Sequence, residues 1–482
     1  LGVASPAAAA TYDPALDPNS MSATTAYTGA KAWWTAGYTG QGVDVAVIDT
    51  GVAPVAGLNT PGKVINGPDL SLESQNPSFR YLDTNGHGTF MAGLIAGRDA
   101  TLTAPYASAP ASAYRGMAPD ARIVNVKVGV ADGGVDVTQV IAAINWVIQH
   151  KNDNGMNIRV LNLSYGTNST QSSTIDPLAY AVEQAWKKGI VVVAAAGNTG
   201  YQRGSGAPGL ASPAYNPYVI GVGGYDPMGT AIPNDDAMGS YSASSSGCGS
   251  LCKNPDFVAV GSHLQGLRVP GSHIDQTHLE GRIDTRYFRG SGTSQAAAVA
   301  SGAAALILQK YPSLTPDQVK CFITNNAKKV PGADSQAQGA GEIDLTTLAG
   351  KAPVSYTQKF TNATGTGSLE LARGTDHLTA NGVVLTGEKD IFGKAFNPTT
   401  MATLEAAGSS WTGGLWNGSS WTGSSWTGSS WTGSSWTGSS WSGSSWSGNT
   451  WSGSSWSGSS WSGSSWSGSS WSGSSWSGGS WT

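Results

Sequence analysis

The chain has 482 residues, with 26 Lys plus Arg against 30 Asp plus Glu and a formal net charge of −4. That balance carries no electrostatic footprint for nucleic acid or an anionic membrane surface, and no apolar run reaches the roughly 18–20 residues needed to span a bilayer. Charged residues are only 12 % of the chain while Gly, Ser, Thr, Asn and Ala abound, a composition that suits a secreted protein better than a cytosolic one.

Residues 1–38 read as an N-terminal arm. Its first ten residues suit the remnant of a signal peptide and an uninformative terminus equally. Residues 30–35 form a helical turn that would dock through Trp33 and Trp34. Val43 to Ile48 is apolar, largely β-branched and bounded by glycines, the pattern of a buried parallel strand. It ends in Asp49, where open α/β sheets place their sites. Gly86 and Gly88 flank His87 at the start of a short apolar helix running to Ala96. A strand at 122–128, a helix at 137–149, a strand at 158–163 followed by Ser164, Tyr165 and Gly166, and a helix capped by Asp176 and Pro177 follow. A strand at 190–195 leads through Ala196 and Gly197 to Asn198, and another strand covers 218–222. Alternation of strands and helices, with crossovers long enough to hold a helix, predicts an α/β fold: a doubly wound, mostly parallel sheet with helices on both faces.

From there to about Phe288 the chain reads as irregular. It holds Cys248 and Cys252, a candidate disulfide outside the cell; Cys321 reads as a small buried hydrophobe. His263, His273 and His278 match no tight ligand spacing, so no metal site is expected. Arg289 to Gln309 then turns from a Gly-rich start into a helix of Ala, Val, Leu and Ile, with Ser294 at its N-terminus. Alone, that stretch would be an Ala-rich core helix with a Ser N-cap. A helix at 316–327 closes the globular part near Leu348.

Residues 351–405 form a small β-rich adjunct, with Asn381-Gly382 as a hairpin signal. The segment 406–482 has no Asp, Glu, Lys or Arg and carries Trp at 411 and every fifth position to 481, fifteen in all. A period of five lines no single face of a helix or a strand. The tail reads as a flexible Gly/Ser arm, as an adhesive one whose indoles could hold polysaccharide, cell wall, substrate or another tail by multivalency, or as a stacked solenoid. Its removal after Ala406 should leave hydrolysis of a short peptide unchanged.

Asp49, His87, Asn198 and Ser294 are one carboxylate, one imidazole, one amide donor and one hydroxyl. A serine hydroxyl becomes a nucleophile when a base takes its proton, a carboxylate orients that base, and an amide N–H stabilises the oxyanion. The segments V-A-V-I-D-T-G (45–51), N-G-H-G-T (85–89), A-A-A-G-N (194–198) and G-T-S-Q-A (292–296) resemble, in content and order, the motifs of subtilisin-like serine peptidases of the secreted bacterial type (the subtilase family). G-M-A-P-D-A (116–121) and G-A-G-E-I-D (339–344) are further echoes. The resemblance covers roughly Thr39 to Leu348, within a catalytic domain expected at 39–350. It implies a secreted endopeptidase with protein or peptide substrates, with Asp49, His87 and Ser294 as triad and Asn198 in the oxyanion hole. It also implies that Ser164, Tyr165, Gly166, Ala195, Ala196 and Gly197 border the substrate. No cofactor is required by it; calcium stays open, with no clear loop for it.

Two departures stand out. The family's usual second histidine after H-G-T is Phe90 here, and the insert between Phe257 and Gly290 is long enough to cover part of a cleft. No acidic residue occurs in the expected pocket segments, which argues against a preference for Arg or Lys. One alternative is an adhesive or structural surface protein with a vestigial peptidase fold, working through its Trp tail. Asp49-Thr50-Gly51 also matches the aspartic-peptidase signature, but the shared-proton chemistry needs a second such carboxylate and none is present.

Overall fold

The computed structural model describes residues 12–421 except 75, 201–208, 246–251 and 381–382, and beyond 421 only the backbone of short strands between 430 and 463. Helices α1 (Met21–Tyr27) and α2 (Ala30–Thr35) lead into β1 (Asp44–Asp49), β2 (Val64–Asp69), α3 (His87–Ala96) and β3 (Arg122–Lys127). Then come α4 (Val137–His150), β4 (Ile158–Leu163), α5 (Pro177–Lys187), β5 (Val191–Ala195), β6 (Ile220–Asp226) and β7 (Ala237–Met238). The chain continues through β8 (Phe257–Val260), β9 (Leu264–Leu267), α6 (His273–Thr277), β10 (Tyr287–Gly290), α7 (Thr293–Lys310), α8 (Pro316–Thr324), α9 (Ser335–Gln338) and α10 (Leu345–Ala349). It ends with α11 (Leu369–Arg373), a hairpin of β11 (Thr379–Ala380) and β12 (Val383–Val384), α12 (Pro398–Ala407), and a meander of β13 (Trp411–Thr412), β14 (Leu415–Trp416) and β15 (Ser419–Ser420).

The central sheet has the order β2-β3-β1-β4-β5-β6-β7, with β8 also paired to β6. Every pairing is parallel except that of β6 with β7. Strands β1 and β5 are buried along their whole length, as their unbroken Val, Ile and Ala runs require when both sheet faces are covered. Helices α3 and α7 pack together against β1 and β4–β6, while α4 and α5 pack together against β1 and β5. Parallel strands end on one edge, so Asp49, Ser164 and the 196–198 turn emerge side by side.

The region 223–288 is less irregular than its sequence suggests. β9 and β10 form an antiparallel ribbon that lies on α3. Phe90, in place of the expected histidine, is buried against this ribbon. A Cβ on Gly266 would come within 2.4 Å of the Phe90 ring, so the large side chain on α3 and the absent one on β9 fit each other. The insert also grips the loop before His87, where His273 N–H donates to Thr84 O and Ile274 N–H to Asn85 O.

The arm docks through Trp33 and Trp34, as its sequence suggests. Trp33 Nε1 donates to Leu345 O at 2.7 Å and Trp34 Nε1 to Met117 O at 3.0 Å, with both rings buried. Cys252 is disulfide-bonded and Cys321 is free and buried; Cys248, the other half of the expected bridge, lies outside the described residues.

Among the described residues of 351–407, α11, α12 and the antiparallel hairpin β11–β12 lie after the family-like part, and α11 and α12 pack on the α4–α5 face. Arg373 is completely buried and its five N–H groups meet Asp136, the N-cap of α4, together with Glu370, Gly387 O and Lys389 O. The first three repeat tryptophans are core residues, with Trp411 7 % and Trp416 and Trp421 0 % exposed. Trp411 Nε1 donates to Ala142 O, Trp416 Nε1 to Asn145 Oδ1, and Trp421 Nε1 to Trp416 O. Phe392 and Phe396 complete the cluster. A boundary at 406 would therefore cut through packed structure, and deletion there should not be innocuous. Trp416→Ala should destabilise the protein by about 3–5 kcal/mol, the usual cost of emptying a large aromatic site, whereas truncation after Trp421 should leave the denaturation midpoint unchanged. Chemical denaturation of both variants checks this.

Candidate active site

The carboxylate ending β1 and the imidazole starting α3 are joined directly. His87 Nδ1 lies 2.8 Å from Asp49 Oδ1 and 3.0 Å from Oδ2, and both residues are buried. Asp49 Oδ1 also accepts the Thr50 N–H at 2.8 Å. Close approach depends on Gly88, since a Cβ there would lie 2.2 Å from Gly51 O. Because the carboxylate accepts at Nδ1, the proton of the neutral ring sits there and Nε2 is the basic nitrogen.

Sequence reasoning missed the layer beneath. Asp83 Oδ1 accepts from Thr50 Oγ1 at 2.8 Å and Gly86 N–H at 2.7 Å, while its Oδ2 accepts from Thr89 N–H at 2.7 Å. One side chain thus ties the β1 turn to the first turn of α3. Its position four residues before His87, at a helix start, is the signal that could have found it. Lys127, opposite Asp49 in the β1–β3 register, is wholly buried. Its Nζ donates to Thr50 O at 2.8 Å and Leu82 O at 2.7 Å and pairs with Glu73 Oε2 at 2.8 Å. Those three partners exhaust an ammonium's donors. Nothing in the sequence near Glu73 announces it.

Burial alone would push the His87 imidazole down, but the Asp49 carboxylate, through its charge and hydrogen bond, and the charge of Asp83 more than offset this, so its pKa stands above the usual histidine value. The folded state then favours imidazolium. The stability this contributes is present below about pH 6.5, the ordinary histidine pKa, and is lost as pH rises through the folded value.

Ser294, the second residue of α7, is fully buried. The helix is capped by Gly292 and not by the serine. Ser294 Oγ lies 3.5 Å from Ser164 O, and Ser164 Oγ donates to Ser294 O at 3.2 Å. This fixes the start of α7 to the end of β4. Asn198 is oriented from the same turn: its Oδ1 accepts from Thr293 N–H at 2.9 Å and Thr293 Oγ1 at 3.1 Å. With the oxygen so held, the amide's N–H end faces away from Thr293.

Gly166, Gly197 and Asn198 line a cleft of about 700 Å³. The side chains of Ser164, Tyr165, Ala195 and Ala196 are buried and do not line it. His263 pairs with Asp226 and His278 with Glu280, and among the described residues no group of three His, Cys, Asp or Glu is arranged to hold a metal.

The family model described as "Subtilase family" matches residues 40–341, more than half of the chain. The chain is 37 % identical over 309 residues to "Serine protease AprX" of Bacillus subtilis (strain 168), covering 64 % of this chain and 66 % of that one. It is 32 % identical over 314 residues to "Subtilisin DY" of Bacillus licheniformis, covering 65 % of this chain and 93 % of that one. Among solved structures, a cold adapted subtilisin-like serine proteinase matches with a TM-score of 0.46 and 29 % identity over 64 % of this chain and 88 % of its own. An NMR titration should place the His87 midpoint above about 6.5, and Asp83→Asn should lower it; an unmoved midpoint would contradict the role given to Asp83.

Proposed function

Because the chain belongs to the subtilase family of serine proteases, we propose that Asp49, His87 and Ser294 are its catalytic triad and that it cleaves peptide bonds within proteins. The observation that carries this is the buried Asp49–His87 Nδ1 hydrogen bond, which leaves Nε2 as the base. Ser294 Oγ attacks the scissile carbonyl carbon while its proton passes to His87 Nε2. The developing oxyanion is held by the Asn198 side-chain N–H and the Ser294 backbone N–H at the start of α7. The C–N bond breaks as the imidazolium gives its proton to the leaving amine. Water, deprotonated by His87, then attacks the Ser294 ester carbonyl, and the imidazolium returns that proton to Ser294 Oγ as the C–O bond breaks and the acid leaves. Each step uses groups of the chain itself.

Gly166 and Gly197 line the cleft beside Asn198, which supports it as the place for the side chain preceding the cut. Ser164, Tyr165 and Gly166 supply the strand edge along which an extended substrate lies, and Ala195, Ala196 and Gly197 the other wall of the pocket. Secretion fits the composition, the disulfide at Cys252 and the finding that no described helix is long and apolar enough to cross a membrane. The repeats after Trp421 keep their role as an adhesive arm toward polysaccharide, cell wall or another tail; the first three indoles are already used.

A serine-directed fluorophosphonate should label the protein at Ser294 and not label Ser294→Ala. An unlabelled wild type would favour the scaffold reading, in which the Trp arm is the working part. Loss of the corresponding amide donor costs subtilisin about 10²–10³-fold in turnover. Asn198→Ala should lose a similar factor in kcat with little change in KM, read by single-substrate kinetics. Truncation after Trp421 should leave turnover of a short peptide unchanged while reducing retention on cell wall or insoluble protein, measured by pull-down.

A further inference from the structure

The insert between β9 and β10, residues 268–286, closes on the segment that leads into His87. Donors and acceptors of that segment are met from opposite sides. The body of the fold takes the donors: Thr84 Oγ1 donates to Glu73 Oε2 at 2.7 Å, Asn85 Nδ2 to Ala131 O at 2.8 Å, and the N–H groups of Asn85 and Gly86 to Asp83 Oδ1 at 3.1 and 2.7 Å. The insert supplies the carbonyls, with His273 N–H donating to Thr84 O at 2.9 Å and Ile274 N–H to Asn85 O at 3.0 Å. Asn85 Oδ1 in turn accepts the His87 N–H at 3.2 Å.

The contact is packed as well as bonded. Gly86, Phe90, Ser272, Ile274 and Asp275 border a void of only about 10 Å³, room for one water at most. Gly86 stands at φ 109°, and a Cβ there would lie 2.7 Å from Ser272 Oγ, so the residue before His87 is glycine on both counts. The insert is also braced from within. Asp275 is buried, and its carboxylate accepts from Arg268 Nε and Nη2, Arg282 Nε and Nη2 and the Gly271 N–H. An Arg286–Asp99 ion pair ties the far end of the insert to the chain just beyond α3.

We infer that this insert is a positioning element of the active site: the backbone N–H groups of His273 and Ile274 fix the 84–86 segment and so the aim of the His87 imidazole. Proton transfer at Nε2 is sensitive to small displacements of the base. The insert touches the base only through backbone carbonyls, so its contribution falls on turnover and not on substrate affinity.

This role presupposes the peptidase reading, and the test separates the two. His273 is the first residue of α6, where proline is tolerated because the missing N–H has no partner inside the helix. Ser272, at φ −67° and ψ 165°, already has the backbone that a following proline requires. His273→Pro therefore deletes one donor, whereas His273→Ala keeps the donor and removes only the imidazole. Both are assayed on a short peptide, with kcat referred to the sites that a fluorophosphonate titrates, so that unfolded protein does not count. His273→Ala should keep the wild-type kcat and KM within about twofold, and His273→Pro should lose about tenfold in kcat with KM unchanged. Equal kcat in the two variants, or a His273→Pro effect confined to KM, would overturn the inference and leave the peptidase reading standing. So would a His273→Ala protein that loses as much as His273→Pro. A wild type that neither labels nor cleaves would overturn both.

Discussion

A single buried ammonium holds the active-site turn in place. Lys127 sits at the end of β3, opposite Asp49, with its three donors spent on Thr50 O, Leu82 O and Glu73. A cation taken out of water is tolerated only when every donor is met and a counter-charge is adjacent. The chain must therefore bring the β1 turn, the 81–83 segment and the Glu73 loop to one point before Lys127 can be buried. Once they are there, Asp49 holds the His87 ring while Asp83 ties the β1 turn to the first turn of α3, and the imidazole is held by geometry already fixed elsewhere. Removing either Lys127 or Glu73 alone would strand the other charge, which costs more than the pair contributes.

The same logic recurs at the C-terminus, where Arg373 and Asp136 are both fully buried. A guanidinium offers five donors in a fixed fork, and here all five are used. The pair lies 237 residues apart in sequence, yet it locks the extension against the head of α4. With the buried Leu369 and Ala372 and the hydrogen bonds of Thr167 and Asn168 to Ala372 and Thr375, that lock sets residues 374–376 at the edge of the cleft. The indole cluster on α4 has the complementary role: it contributes area, with each Nε1 given a partner so that burial leaves no donor unmet.

Local signals made the catalytic core readable and long-range ones did not. The strand 158–163 and the Asp176–Pro177 helix start are written in adjacent residues, and the four motifs carry their chemistry with them. β2 was hidden because Asn66-Gly67-Pro68 looks like a turn; as an outer strand paired only to β3 it tolerates them. β8 to β10 are four residues each, too short for alternation to show. Asp376 could not be placed in the cleft from sequence at all, since no pattern links it to Asn168. The Trp repeat misled in the opposite sense: its regularity suggested one uniform arm, and three of its indoles belong to the body.

The departures from the repeat explain how its first three indoles reach the body. The β13–β15 meander turns at Gly413-Gly414 and Asn417-Gly418, all four with positive φ between 47° and 79°. Such two-residue turns need that conformation at both positions and favour Gly-Gly and Asn-Gly. From Trp421 on, the residues after each Trp up to position 478 are Thr-Gly or Ser-Gly, and a β-branched Thr is poorly suited to positive φ. Gly414, Leu415 and Asn417 are thus departures with a structural purpose. They let two repeats fold back twice and press Trp411, Trp416 and Trp421 onto α4.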